Sequence, residues 1–230
     1  MAGPIVDLAL VRLLQLASPA LPIGGYSYSQ GLEWAIEVGT VHDAASARRW
    51  IGDLLTRVLP RGEAAMTMRM LRAAGAGDWA ALAHWNAELR ATRESAELSA
   101  ESEQMAHSLL HLAGELKLLD DGARSSRASL APATLPCAYA LVARGFGIDA
   151  DVALMAYLWS WLENQVLCAI KSVPLGQVAG QRLLLDLGAR LPDVVAIARV
   201  CSDDELSNFA PGFAMASCRH ETQYTRLFRS

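Results

Sequence analysis

The sequence predicts an all-α protein. Apolar residues recur at three- and four-residue intervals almost throughout, long β-branched alternation is missing, and turn-forming residues such as Gly39, Pro60 and Pro136 fall between the periodic runs. With 53% hydrophobic side chains in 230 residues, the chain is long enough to bury a substantial core. A single-domain bundle of about ten helices is expected over residues 1–206, followed by a flexible tail, 207–230, suited to docking on a partner.

The elements follow in order. Residues 5–17 are apolar nearly all round, and 28–38 form a short helix that Gly39 ends in the left-handed conformation. Ser27 and Gln30 stand in capping-box spacing at its start. Asp43 caps a third helix that stops before Pro60, and 62–74, 78–92 and 95–119 form three more. The stretch DDGARSSRASLAPATLP, 120–136, reads as a surface connection. Helices then cover 134–144, 150–172, 174–188 with Pro174 in its first turn, and 191–200. In 150–172 one apolar stripe runs through Val152, Met155, Trp159, Leu162, Val166 and Ile170, with Leu154, Tyr157, Leu158 and Trp161 making a second apolar face, so this helix is expected at the centre of the core. From Ser202 the pattern dissolves, and such a tail is mobile unless something holds it down.

Composition excludes several functions. A formal net charge of −4 offers no basic field for nucleic acid. The longest strongly apolar run, Val152 to Leu162, is eleven residues, far short of the roughly 20 needed to cross a bilayer. Cys137, Cys168, Cys201 and Cys218 form no Cys-x-x-Cys pair, and the opening segment, with Asp7 and Arg12, does not read as a signal peptide, so a reducing cytoplasm is expected.

Four constellations stand out. LASPALPIGGYSYSQGLE, 16–33, joins two prolines and a Gly-Gly pair to Tyr26, Tyr28 and Glu33. No Gly-Lys-Ser/Thr occurs, so it is no phosphate-binding loop. Its rings either form a recognition surface or pack inward. Glu103, His107, His111 and Glu115 recur every four residues on one helix face, where two imidazoles could clip a transition metal in a metal-dependent helical enzyme; a solvated polar face is the other reading. In IKSVPLGQVAGQ, 170–181, Lys171 either meets the carbonyls ending its helix or faces a partner, and Gln177 and Gln181 either face solvent or bond across an interface. RHETQYTRLFRS, 219–230, places Arg219, Arg226 and Arg229 beside His220 and Glu221, and Tyr224, Leu227 and Phe228 would share one face of a helix. That tail either docks in a partner's groove or frays. No Ser, Cys or Lys sits in a recognisable nucleophile motif.

The first, third and fourth of these segments, in this order and at these distances, closely resemble the UreF family of urease accessory proteins. The resemblance runs from near Leu13 to Ser230 and is only helical texture between about 60 and 130. It implies an all-α cytoplasmic protein with no catalysis, metal or cofactor of its own, which helps insert nickel into apo-urease. The partners it implies are the accessory protein UreD (also called UreH) and the nickel-carrying GTPase UreG, with self-association to a dimer. By motif, Tyr26, Ser27, Ser29, Gln30, Gly31 and Glu33 match the first signature, Lys171, Pro174, Gly176 and Gln177 the second, and Arg219, His220, Glu221, Arg226 and Phe228 the third. Partner binding is the role expected of them and of Tyr224 and Leu227, with Glu33 and Lys171 as partner-facing charges whose loss spares the fold. Two rivals follow: a scaffold that regulates a GTPase, supplying an arginine to it, and the metal-dependent enzyme using His107 and His111.

Overall fold

The computed structural model describes residues 8–230. The expected helix start at residue 5, and Asp7, lie outside the described residues. The fold is all-α, and no strand forms among the described residues. The helices are α1 Leu8–Leu16, α2 Leu32–Glu37, α3 Ala44–Asp53, α4 Glu63–Ala76, α5 Trp79–Ala91, α6 Ala96–Glu115, α7 Asp121–Ser126, α8 Leu135–Phe146, α9 Ala150–Ser172, α10 Gln177–Gly188, α11 Leu191–Val200 and α12 Pro211–His220. No helix among them is long and apolar enough to cross a membrane.

Local chemistry explains most boundaries. Asp43 Oδ1 accepts from Ser46 N at 2.7 Å while Ser46 Oγ accepts from Asp43 N at 3.0 Å, a reciprocal cap that starts α3. A single wider turn, Leu54–Val58, carries α3 on toward Pro60. Gly39 takes φ 75 just after α2, the left-handed ending its sequence predicts. Pro174 does not open α10, which begins at Gln177; the first-turn prolines belong instead to α8, α11 and α12.

α9 is the central helix. It packs on α4, α10 and α11, and α4 in turn packs on α5 and α8, while α8 lies along α6. Leu154, Leu158, Leu162 and Val166 of α9 are fully buried, whereas Val152 is 45% and Trp159 36% exposed. Both apolar faces of the sequence therefore reach the core: the one through Leu154 and Leu158 is buried, and the stripe through Val152 and Trp159 is exposed at its start and buried at Leu162 and Val166. Each such leucine removes enough apolar surface from water to stabilise the fold by about 1.5 to 3 kcal/mol.

The stretch 120–136 is more than a surface connection. It holds α7 and buries Leu130, because the buried Asn86 amide donates to Leu130 O and Pro132 O, both at 3.1 Å, and accepts from Thr134 N at 2.8 Å. One amide side chain thus satisfies three backbone groups and pins the loop.

The tail is held down. Asn208 Nδ2 donates to Thr92 O and Glu94 Oε1, and Ser207 N donates to Arg61 O. α12 then packs on α2 and α6, where the Ser217 and Ser95 hydroxyls meet at 2.6 Å.

Candidate functional site: a turn and the strap that closes on it

The turn 24–31 and the segment 221–230, hereafter the strap, form one structure. After Gly24 at φ 78, a single 3-10 turn, Gly25–Ser27, delivers the chain into the groove beside α9. There α9 fastens it: Asn164 Nδ2 donates to Tyr28 O at 2.8 Å and Gln165 Nε2 to Ser29 O at 3.2 Å. Gln30 takes φ 54, donates from Nε2 to Glu101 Oε1 at 2.7 Å and accepts at Oε1 from Trp161 Nε1 at 2.7 Å. The capping box expected of Ser27 and Gln30 is absent, because Gln30 is drawn into the groove and α2 starts only at Leu32. Gly31 is required twice over. Its φ is 78, and a Cβ there would stand 3.0 Å from the Ser217 backbone nitrogen, so only glycine lets α12 approach this closely.

The strap returns the contact. Arg229 N donates to Ser27 O at 2.7 Å, and the Ser230 carbonyl oxygen accepts from Ser29 N, Gln30 N and Ser29 Oγ. Ser230 Oγ donates to Glu101 Oε2 at 2.6 Å. Glu33 of α2 accepts from Leu227 N at 2.6 Å, Phe228 N at 3.0 Å and His220 Nε2 at 3.0 Å. Across His220, Nδ1 faces Glu97 Oε2 at 2.7 Å, and Glu97 also receives Arg226 at 2.5 Å. A carboxylate oxygen thus faces each ring nitrogen of His220. Lys171, at the end of α9, sets its ammonium 5.6 Å from the Phe228 ring centroid and 6.0 Å from that of Tyr26, so one cation spans both segments.

The residues expected to bind partners therefore fall into two groups. Ser29, His220 and Phe228 are buried against the chain's own groove, with Ser27, Gln30, Glu33 and Glu221 half-buried. Tyr26, Lys171, Gln177, Arg219, Tyr224, Arg226 and Leu227 are exposed. The strap is not helical, so Tyr224, Leu227 and Phe228 do not share a face: Phe228 turns in while Tyr224 and Leu227 turn out. The open choice for the turn's rings divides as well, with Tyr28 packed inward and Tyr26 at 63% exposure. Gln177 and Gln181 face solvent, and Gln177 lies outside the groove contacts.

Below the turn lies a polar seam. Arg93 Nη1 meets Glu63 Oε2 at 2.7 Å, and the Tyr157 hydroxyl donates to the same carboxylate. Burial, reinforced by Glu63, holds the Tyr157 phenol well above its usual range. A cleft of about 120 Å³ adjoins Glu101, walled by Leu16, Leu21, Ile23, Met105 and Leu135. Glu97, Glu101 and Ser230 escaped the sequence reading. A signal existed for Glu101, which interrupts the apolar line Leu98, Met105, Leu109 on the buried face of α6. Glu103, His107, His111 and Glu115, the stripe that was singled out, lies on the outer face, with both histidines exposed. Among the described residues, no group of three His, Cys, Asp or Glu side chains is placed to hold a metal ion.

An all-helical body closed by a strap on a turn is the architecture of this chain, and comparison with known proteins names its group. The UreF family model matches residues 41–188, the body without the turn or the strap. The alignments with individual relatives run further. The urease accessory protein UreF of Azoarcus sp. (strain BH72) is 54% identical over 225 residues, covering 97% of this chain and 96% of that protein. That of Methylobacillus flagellatus is 50% identical, covering 96% of this chain and 98% of its own. In Bordetella bronchiseptica, a bifunctional urease accessory protein UreEF is 51% identical to 96% of this chain, which accounts for 52% of its length. The chain belongs to the UreF family of urease accessory proteins.

Proposed function

We propose that this protein is a non-catalytic accessory of the cytoplasm that takes part in nickel insertion into apo-urease, linking UreD (UreH) to the nickel-carrying GTPase UreG and pairing with a second copy within that assembly. The observation that carries the reading is the closure of the strap on the turn. It gathers two distant motifs into one face, on which Tyr26, Lys171, Tyr224, Leu227 and Arg229 stand exposed around the Phe228 anchor. Exposed aromatic, aliphatic and cationic side chains on a backbone fixed beforehand bind at low ordering cost. UreD is the partner assigned to this face.

Co-purification tests it. A chain lacking residues 222–230 is expected to remain helical and to lose UreD, and with it UreG and urease activation. That cut spares Ser217 and His220, which are part of the packed body. Full capture of UreD at matched circular dichroism would move the docking face elsewhere on the body.

A further inference from the structure

The cleft beneath the turn has an apolar wall and, beside it, a set of rings and acids. Tyr26, Tyr139, Tyr157 and Trp161 line it with the carboxylates of Glu101 and Glu163, and no Lys, Arg or His among the described residues does so. Most of its buried polar groups are spent within the protein: Trp161 Nε1 donates to Gln30 Oε1, Gln30 Nε2 to Glu101 Oε1, and the Tyr157 hydroxyl to Glu63. Tyr139 differs. It is 3% exposed, and its hydroxyl is buried with no hydrogen-bond partner. Such a group is costly to leave unmade, and on the wall of a cleft a polar guest can satisfy it.

The two carboxylates lack a cation of their own. The cations around the turn and strap are engaged elsewhere: Arg93 pairs with Glu63, Arg226 with Glu97, and Lys171 lies by the Tyr26 and Phe228 rings. Burial alone raises the Glu163 carboxyl, and burial also pushes Glu101 up to about 7, against the pull of Ser230, Gln30 and Arg93. A cation entering the cleft favours the ionised form of both acids, the form to which Ser230 and Gln30 already donate. Rings and carboxylates together are fitting surroundings for an organic ammonium. The volume limits its size. An apolar cavity of about 150 Å³ takes up benzene, so a cleft of about 120 Å³ suits about five heavy atoms, such as four methylenes and a nitrogen.

We propose that this cleft is a socket for a lysine side chain of the protein that docks on the strap face, its stem against the apolar wall and its ammonium among Glu101, Glu163 and the Tyr139 hydroxyl oxygen. An ammonium brings three donors to these acceptors, and it is more compact than a guanidinium. Tyr26, 63% exposed, both lines the cleft and belongs to the docking face, so a partner side chain laid on that face stands at the opening. The source of the lysine rests on the proposed function; the preference of the cleft for an ammonium does not.

The probe is n-butylamine, which carries the lysine stem and charge, with n-butanol as its uncharged counterpart. In the full-length protein at matched ionic strength and about pH 7.5, n-butylamine is expected to shift the NMR signal of the Trp161 indole N–H saturably, and n-butanol to bind at least about fivefold more weakly. Glu163→Gln should weaken the amine about threefold or more. Tyr139→Phe should weaken it as well while the melting temperature holds or rises, since the lost hydroxyl has no partner to leave behind. No saturable shift, an equal response to n-butanol, or unchanged amine binding in both variants overturns the socket. UreD capture then reads the source of the lysine. At about ten times its own dissociation constant, n-butylamine should lower the apparent affinity for UreD about tenfold, and n-butanol at the same concentration should not. Undiminished capture overturns the partner's lysine as the occupant and assigns the cleft to a free amine. A chain that captures no UreD even without the probe refutes the proposed function and the lysine's source together, whereas the ammonium preference is measured without UreD.

Discussion

The helical body and the strap are held by opposite kinds of interaction. Around α9 the contacts are mainly apolar: Leu154, Leu158 and Leu162 are fully buried where α9 packs on α4, α10 and α11, with the Tyr157–Glu63 hydrogen bond as a polar tie to α4. At the strap nearly every tie is polar, shared between Glu33, Glu97 and Glu101 on one side and the backbone of the turn on the other. Apolar burial is non-directional and sums over many atoms, so a body built that way tolerates exchange of similar volumes. Charged hydrogen bonds are directional and few, so the strap depends on each partner keeping its place. The body is therefore held by many interchangeable contacts, and the strap by a few specific ones.

The largest expected effect breaks the body. Leu158→Ala empties a fully buried site on α9 and should cost about 2 to 5 kcal/mol of global stability, read from urea unfolding followed by circular dichroism. Glu33→Ala breaks the strap instead. It strands the Leu227 and Phe228 amides and the His220 ring, for a loss of about 2 kcal/mol or more. Exchange at residues 227–229 should rise by well over tenfold while the exchange of α9 changes little. If α9 amides accelerate equally, strap and body are one cooperative unit and the contrast fails. Glu33 was expected to be a partner-facing charge whose loss spares the fold; its three intramolecular donors make it an internal anchor.

These two regions were unequally legible in the sequence. The body's helices could be read because a 3.6-residue period and the punctuation at Gly39, Asp43 and Pro136 are local signals. The strap's role could not, since its ties join positions about 130 to 200 residues apart, such as Arg226 to Glu97 and Ser29 to Ser230, and no periodicity connects them. Composition even pointed the other way: a short arginine-rich end looks solvated until Glu33 and Glu97 are placed under it. On α6 the polar stripe from Glu103 to Glu115 drew the eye because it was regular, whereas Glu101 mattered because it broke an apolar line. A lone acid on a buried face, rather than a periodic one, was the informative feature.

A smaller effect on stability sharpens the comparison. Tyr224 is fully exposed and Leu227 is 65% exposed, so replacing both by serine should shift stability by less than about 0.5 kcal/mol and leave strap exchange nearly unchanged. UreD capture should nonetheless weaken at least tenfold, because these side chains contribute to the outward face alone. Unaltered capture would leave the strap as an internal fastening with no part in docking.

The smallest expected structural effect belongs to Lys171, which touches both regions. It ends α9, and its ammonium spans the Tyr26 and Phe228 rings, an exposed arrangement worth about 0.5 to 1 kcal/mol. Lys171→Met keeps the apolar stem and removes the charge, so Phe228 exchange should quicken by no more than about fivefold and the melting temperature should hardly move. Lys171→Arg keeps a cation over the same rings and is expected to restore Phe228 protection. Capture of UreD then distinguishes the two uses of the charge. If Met lowers capture far more than it loosens the strap, and Arg recovers it, the ammonium meets the partner directly. If capture and Phe228 exchange change in proportion across the two variants, Lys171 acts only by holding the strap against the body.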